Sequence, residues 1–283
     1  MNIVTGEGPV VGDAIVRHRS IKRIAFTGSV PTGMAIQRSA AQVGIKHVTL
    51  ELGGKNPLIA FADQDPEKMA TVALQAMNFA WQGQSCGSAS RLLLHEAIHD
   101  AVVERLLAKV RQIRLGDPLS PDAQMGQLNS RAHYERVRAM VQAGIDGGAT
   151  LLAGGGRPAG AQFERGYWLE PTVFGNVTPD MRIGREEIFG PVLSIFRWKD
   201  EDEAIRIANS TEYGLTASIW TNDIKSALRA ARAVKSGYIW VNNNSAHYYG
   251  VPFGGLKNSG LGREEGLDEL LGYTETKSLH IKL

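Results

Sequence analysis

Short apolar segments alternate with segments of helical periodicity along the first fifty residues. Apolar and β-branched residues predict strands at residues 2–5, 21–27 and 46–50. Two glycine-rich turns, at residues 6–12 and 28–33, predict helices that end near Arg17 and Ala41. Strands that alternate with helices indicate a parallel sheet, and such turns place N–H groups and a positive helix end at one of its edges.

The same alternation continues along the rest of the chain. Further strands are predicted at residues 57–61, 90–95, 150–153, 192–198, 217–221, 238–242 and 274–283, with an extended segment at 168–174. Helices are predicted at residues 65–81, 100–113, 130–147, 200–210, 224–234 and 267–271. Start signals support two of them, an Asp-Pro pair at 65–66 and a capping-box pattern at 200–203. The pattern predicts an α/β protein.

Composition and charge exclude several classes of partner. The chain has 283 residues, is 43% hydrophobic and 21% charged, and has a net charge of +2. This balance gives no electrostatic basis for binding nucleic acid or a membrane surface. No apolar run approaches the ~20 residues of a membrane helix, and the first residues lack the pattern of a secretory signal. A single cysteine fits a reducing compartment, so we expect a cytoplasmic protein.

That cysteine, Cys86, lies in the segment F-A-W-Q-G-Q-S-C-G-S-A-S-R at residues 79–91. A lone cysteine cannot form an internal disulfide, so it serves either packing or thiol chemistry. Taken alone, the residue leaves both open. Its neighbours are small or polar, and glycine-rich backbone of this kind can approach a ligand closely. The surroundings therefore favour thiol chemistry.

A second motif, His95-Glu96-Ala97-Ile98-His99, matches the H-E-x-x-H pattern of zinc peptidases. In those enzymes both imidazoles lie on one face of a helix. Here His95 is predicted to end an apolar strand, which removes the one-turn spacing between the rings. We therefore expect a surface strand-to-helix turn and no metal site, with a zinc hydrolase as an alternative.

Five sequence blocks, in order, resemble the aldehyde dehydrogenase superfamily. They are F-T-G-S at 26–29, L-E-L-G-G-K-N-P at 50–57, G-Q-S-C followed by S-R at 83–91, E-E-I-F-G-P-V at 186–192 and P-F-G-G-L-K-N-S-G at 252–260. The resemblance covers almost the whole chain and implies that it corresponds to the C-terminal part of the usual enzyme. It implies part of a Rossmann-like NAD(P)-binding domain at 1–50, an α/β catalytic domain at 51–260, and a return segment with an oligomerisation strand at 261–283.

The resemblance also implies a set of site residues. Cys86 would be the nucleophile and Glu51 the general base. Trp81 and Phe253 would line the substrate channel. The residues implied to bind the cofactor, NAD or NADP, are Gly28, Ser29, Gly33, Leu52, Gly53, Glu187 and Phe189.

The implied reaction oxidises an aldehyde to a carboxylic acid through a thiohemiacetal and a thioester on Cys86. A homo-oligomer, dimer or tetramer, is expected to form through the terminal strand. The family's P-W-N and K-P-S/A-E blocks, which supply an oxyanion donor and an adenosine anchor, do not occur in this sequence. We therefore expect little activity from the chain alone, and a non-catalytic oligomerising or binding module is the alternative.

Overall fold

The structure is a computed structural model that describes residues 1–283, which form two compact units. One unit combines Met1–Gly53 with His247–Leu283, and the other is Gly54–Ala246. The residues after 246 thus pack with the first fifty-three residues. The division by role into residues 1–50, 51–260 and 261–283 stays a prediction.

The chain forms twelve strands and nine α-helices. The strands are β1 Arg23–Thr27, β2 His47–Glu51, β3 Pro57–Ala60, β4 Arg91–His95, β5 Thr150–Ala153, β6 Thr172–Gly175, β7 Val192–Trp198, β8 Tyr213–Gly214, β9 Thr216–Trp220, β10 Tyr238–Val241, β11 Leu256–Lys257 and β12 Gly260–Leu261. The helices are α1 Asp13–Arg17, α2 Val30–Ala41, α3 Pro66–Ala76, α4 Glu96–Val110, α5 Arg131–Asp146, α6 Arg182–Arg185, α7 Glu201–Asn209, α8 Ile224–Ala233 and α9 Leu267–Leu271. A π-helix at Gly8–Gly12 precedes α1, and 3-10 turns lie at Phe79–Trp81 and Ala161–Phe163.

The larger unit is built on a seven-stranded sheet in the order β10-β9-β3-β4-β7-β6-β5. All neighbours are parallel except the edge pair β5–β6. The central strands are apolar on both faces: Leu92 and Leu94 join the core that contains α3 and α4, while Leu93 joins the core that contains α5, α7 and α8. Helices on both faces explain why these strands read as continuous apolar runs.

The smaller unit contains a three-stranded sheet in the order β1-β2-β12, parallel between β1 and β2 and antiparallel between β2 and β12. Val16, Ile24 and Ala40 form its core between the sheet and helices α1 and α2. Ser29 caps α2, because its hydroxyl accepts a hydrogen bond from the Thr32 amide. The predicted α/β class with parallel sheets is confirmed.

Several predicted elements were wrong in extent. Residues 2–5 form no strand: Ile3 and Val4 are exposed and pair with no neighbour, so β propensity alone was misleading. Helix α3 ends at Ala76 instead of residue 81, because Asn78 adopts a left-handed backbone with φ 57°. Helix α4 begins at Glu96 instead of residue 100, because the His95 ring caps it by accepting from the Ala97 amide.

The last ten residues, 274–283, form no strand within the single chain. Leu279 and Ile281 are exposed there. Pairing of this segment with another subunit stays a prediction. No helix of the structure combines the length and the apolar content of a membrane span.

Candidate active site

Cys86 is half-buried in the loop between the 3-10 turn Phe79–Trp81 and strand β4. Gly83 starts this loop with φ +64°, and a Cβ at Gly83 would lie 2.2 Å from the carbonyl oxygen of Gly190. Only glycine fits both this backbone and this approach. Gly83, three residues before Cys86, therefore fixes the path of the loop.

Asn56 holds the main chain at Cys86. Its side-chain amide donates to the carbonyl oxygens of Cys86, at 2.7 Å, and Ser88, at 2.9 Å. The side-chain oxygen Oδ1 of Asn56 accepts from the Thr216 amide at 3.1 Å. Both ends of the side-chain amide are therefore hydrogen-bonded within the protein. Sequence reasoning missed Asn56, although a polar residue directly after Gly-Gly-Lys and before a buried strand was the available signal. The result is a thiol presented on a fixed loop.

Gly54 joins this loop to Glu187. A Cβ at Gly54 would lie 2.6 Å from the Cys86 carbonyl oxygen, so the backbones are in close contact. The Gly54 amide donates to Glu187 Oε1 at 2.8 Å. Burial is the main cause that raises the pKa of Glu187, and the Gly54 amide opposes the rise. The structure thus brings the Cys86 main chain and the Glu187 carboxylate against the same residue, Gly54.

Two buried cations lie next to these residues, and sequence reasoning missed both. Arg91 donates to the carbonyl oxygens of Lys55, Ile207 and Ala208 at 2.7–2.8 Å, and burial lowers its pKa to about 9. The Lys55 ammonium is buried without a hydrogen-bond partner, and burial, with repulsion from Arg91, lowers its pKa to about 7. Motif reading could not find them, because their burial depends on segments distant in sequence.

Glu51 ends strand β2 in the smaller unit and is only 4% exposed. Neither carboxyl oxygen has a hydrogen-bond partner. Burial raises its pKa to about 8, repulsion from Glu264 adds to the rise, and Arg263 opposes it. A carboxyl group with these properties exchanges a proton near neutral pH, which is what a general base or acid requires.

The turn between β1 and α2 holds Gly28 and Ser29, both exposed. The Gly28 amide donates to the Glu51 carbonyl at 3.0 Å, so this turn and the end of β2 are adjacent. Gly33 packs on Leu52, since a Cβ at Gly33 would lie 2.8 Å from Leu52 Cδ2. The carbonyl of Gly53 accepts from the Ser259 hydroxyl at 2.6 Å. Gly33, Leu52 and Gly53 therefore make internal contacts of the smaller unit.

The two predicted channel residues lie in different units. Trp81 of the larger unit is 63% exposed. Phe253 of the smaller unit is buried, its backbone pairs with Glu264, and its ring lies 4.8 Å from the His247 ring. Trp81 thus presents an exposed ring, whereas the Phe253 ring is packed within the smaller unit.

The H-E-x-x-H residues have separate contacts. His95 ends β4, as predicted, and its ring packs edge-on against Trp198 at 4.7 Å. His99 lies within α4, and its Nδ1 is 2.8 Å from the Asp100 carboxylate. Both imidazoles thus have structural partners.

Comparisons with known proteins agree with this architecture. The profile of the aldehyde dehydrogenase family matches residues 1–279. The chain is 47% identical to aldehyde dehydrogenase tropH of Talaromyces stipitatus and 44% identical to betaine aldehyde dehydrogenase of Brucella anthropi; each match covers the whole chain and 55% or 57% of the relative. The chain therefore spans little more than half the length of these curated relatives.

Solved structures give the same result. The NAD-dependent aldehyde dehydrogenase of Sinorhizobium meliloti superposes with a TM-score of 0.93 at 44% identity, over 98% of this chain and 54% of that one. Betaine aldehyde dehydrogenase of Staphylococcus aureus in complex with NAD+ gives 0.91 at 37% identity, over 95% and 53%. Its fold and its sequence both place this chain in the aldehyde dehydrogenase family.

Proposed function

We propose that this chain carries the machinery for NAD(P)-dependent oxidation of an aldehyde to a carboxylic acid. The observation that carries the proposal is the buried Glu51 carboxyl, whose two oxygens have no partner and whose pKa is about 8. Isolation of an ionisable group from both water and hydrogen bonds is costly, and it is typical of a group that acts in catalysis. The family membership of the chain supports the same activity.

The donor set of the chain fits a nicotinamide dinucleotide. Glu187 uses Oε1 for the Gly54 amide, which leaves Oε2 for a ribose hydroxyl. The half-buried Phe189 ring offers a flat apolar surface of the kind on which a nicotinamide ring packs. In the smaller unit, the exposed Gly28-Ser29 turn at the start of the twelve-residue helix α2 suits a phosphate, although Pro31 has no amide donor and the Thr32 amide already donates to the Ser29 hydroxyl. NAD and NADP fit these residues equally.

In this proposal Cys86 acts first. Its thiolate adds to the aldehyde carbon, and the alkoxide that forms accepts a hydrogen bond from the Cys86 amide. When bound, the oxidised nicotinamide supplies the acceptor for the hydride that leaves this carbon. Cys86 then carries a thioester. The Asn56 hydrogen bonds support this order of steps, because they fix the backbone of the residue that carries the sulfur.

Glu51 acts second. Its ionised carboxylate takes a proton from water, the hydroxide oxygen adds to the thioester carbon, and the carbon–sulfur bond breaks to release the acid and the Cys86 thiolate. The overall change consumes aldehyde, water and oxidised cofactor and yields acid, reduced cofactor and a proton. Since the pKa of Glu51 is about 8, the rate of this hydrolysis should rise between pH 6 and pH 9.

Acylation by an activated ester tests both roles without cofactor. We expect p-nitrophenyl acetate to acylate Cys86 with one equivalent of p-nitrophenolate, followed by slow turnover. Cys86→Ser should abolish the burst, and Glu51→Gln should keep the burst while it stops turnover. Equal loss of burst and turnover in Glu51→Gln would assign Glu51 to thiolate activation instead. Absence of a burst in the parent chain would refute the nucleophile.

The exposed Glu96 provides a matched control, because the zinc-hydrolase alternative requires it. Glu96→Gln should behave as the parent chain does. In a parallel assay, an apolar aldehyde and a trimethylammonium aldehyde are each incubated with the chain and NAD or NADP. Formation of the reduced cofactor is followed by absorbance at 340 nm. Burst chemistry without reduction of either cofactor would agree with the low activity expected of the chain alone, whereas reduction of either cofactor would support the dehydrogenase proposal and contradict that expectation.

A further inference from the structure

One residue between Glu187 and the Cys86 loop has an unusual backbone. Phe189 lies in the left-handed region with φ +57°, where residues with a side chain are rarely found. The next residue, Gly190, is the one whose carbonyl lies against Gly83. Such a conformation persists only where the surroundings determine it, and it is concentrated at functional sites.

The N-terminal part of helix α5 supplies the contacts that hold this conformation. His133 Nε2 lies 2.6 Å from the carbonyl oxygen of Phe189. A carbonyl oxygen can only accept, so Nε2 carries the hydrogen and donates. Three residues later, Arg136 donates to the carbonyl oxygen of Glu187 at 2.7 Å. One helical turn thus binds the main chain on both sides of Ile188.

The contacts are built into the fold. Ser130 caps α5 by accepting from the His133 amide, which sets the orientation of the turn that carries the imidazole. The His133 and Phe189 rings also meet edge to face, with centroids 6.1 Å apart. Burial lowers the pKa of His133, although the bond to Phe189 opposes this, and the direction favours a neutral ring whose hydrogen lies on Nε2 and is donated to Phe189.

We infer that His133 is a positioning residue that, with Arg136, holds residues 187–189 in the conformation that presents the Glu187 carboxylate and the Phe189 ring. If Phe189 relaxed to an extended backbone, its carbonyl would lose the hydrogen bond from His133 and its ring would point in another direction. The role in cofactor binding rests on the proposed function, whereas the hold on the backbone does not.

The first measurement therefore uses the ligand-free chain. Backbone 13C and 15N shifts of labelled phenylalanine report the left-handed conformation of Phe189, and side-chain 15N shifts report the Nε2–H form of His133. We expect His133→Leu to abolish the left-handed signature and His133→Gln, which retains an N–H donor, to keep it. The exposed Glu135 lies on the same turn, and Glu135→Gln should change nothing. An unchanged Phe189 signature in His133→Leu overturns the inference.

The second measurement uses nicotinamide mononucleotide, which needs only the residues at the nicotinamide end. We expect its affinity to fall at least tenfold in His133→Leu and to remain within threefold in His133→Gln and Glu135→Gln. Equal affinity in His133→Leu and the parent overturns the positioning role. If Phe189 responds as expected but the parent does not bind the mononucleotide, the hold on the backbone is supported and the cofactor assignment of the proposed function fails.

Discussion

Replacing Glu51 by glutamine should stabilise the folded protein at alkaline pH and leave it unchanged at acid pH. In the folded chain Glu51 has a pKa of about 8, against 4.5 for an ordinary glutamate. Between these values the folded state binds the proton and the unfolded state does not. The free energy of unfolding therefore falls as the pH rises through this window.

The size of the effect follows from the same two values. Their difference of about 3.5 corresponds to about 5 kcal/mol, and relaxation of the structure around the ionised carboxylate reduces this to roughly 2–4 kcal/mol. Glutamine has the same shape without the charge, so Glu51→Gln should lose this slope. A residual slope of the same sign should remain, because burial and its acidic neighbours also raise the pKa of Glu264.

Urea unfolding of both proteins at pH 4.5, 6, 7.5 and 9 measures the difference directly. We expect equal midpoints at pH 4.5 and a higher midpoint for Glu51→Gln at pH 9. The exposed Glu164 serves as the control, since Glu164→Gln removes the same charge from the larger unit. A constant difference between Glu51→Gln and the parent at all four pH values would show that Glu51 has the same pKa in the folded and unfolded chain, and the reasoning would fail.

Three further predictions concern other parts of the chain. Iodoacetamide should label Cys86 in the native chain faster than it labels a peptide with a free cysteine, as measured by mass spectrometry. An equal or slower rate would contradict an activated thiol. Asn56→Leu should lower the free energy of unfolding by about 1–3 kcal/mol, because it removes the two hydrogen bonds that Asn56 donates to the Cys86 and Ser88 carbonyls; an unchanged urea midpoint would contradict this. Deletion of residues 274–283 should shift sedimentation toward monomer, and an unchanged sedimentation coefficient would exclude the segment from assembly.

The sequence predicted what depends on local pattern. The strands of the larger sheet were found because burial on both faces makes them continuous apolar runs, and the helix starts at Asp65 and Asp200 because capping needs only neighbours in sequence. The motif blocks identified the family, and the family is shown by comparison. The roles of the named site residues stay predictions.

What the sequence did not show depends on distance along the chain. The contacts of Asn56, Lys55 and His133 became visible only when segments up to 160 residues apart were in contact, as in the bond from the Thr216 amide to Asn56. No local signal separates a buried lysine from a solvated one, or a histidine that holds a backbone from one that faces water. The wrong prediction of a strand at residues 2–5 has the opposite cause. These residues have the local propensity for a strand, but no other strand pairs with them.

The Arg91 guanidinium has a consequence for how the larger unit is made by the ribosome. Its acceptors at Ile207 and Ala208 are 116 and 117 residues downstream, at the C-terminal end of α7. Until that helix emerges, strand β4 would have to bury a positive charge without acceptors, which is strongly unfavourable. The sheet centre should therefore remain open on the nascent chain until residue 208 has left the exit tunnel. Completion of the larger unit should then be a late, single step, observable as an abrupt gain of protease resistance in a series of stalled chains of increasing length.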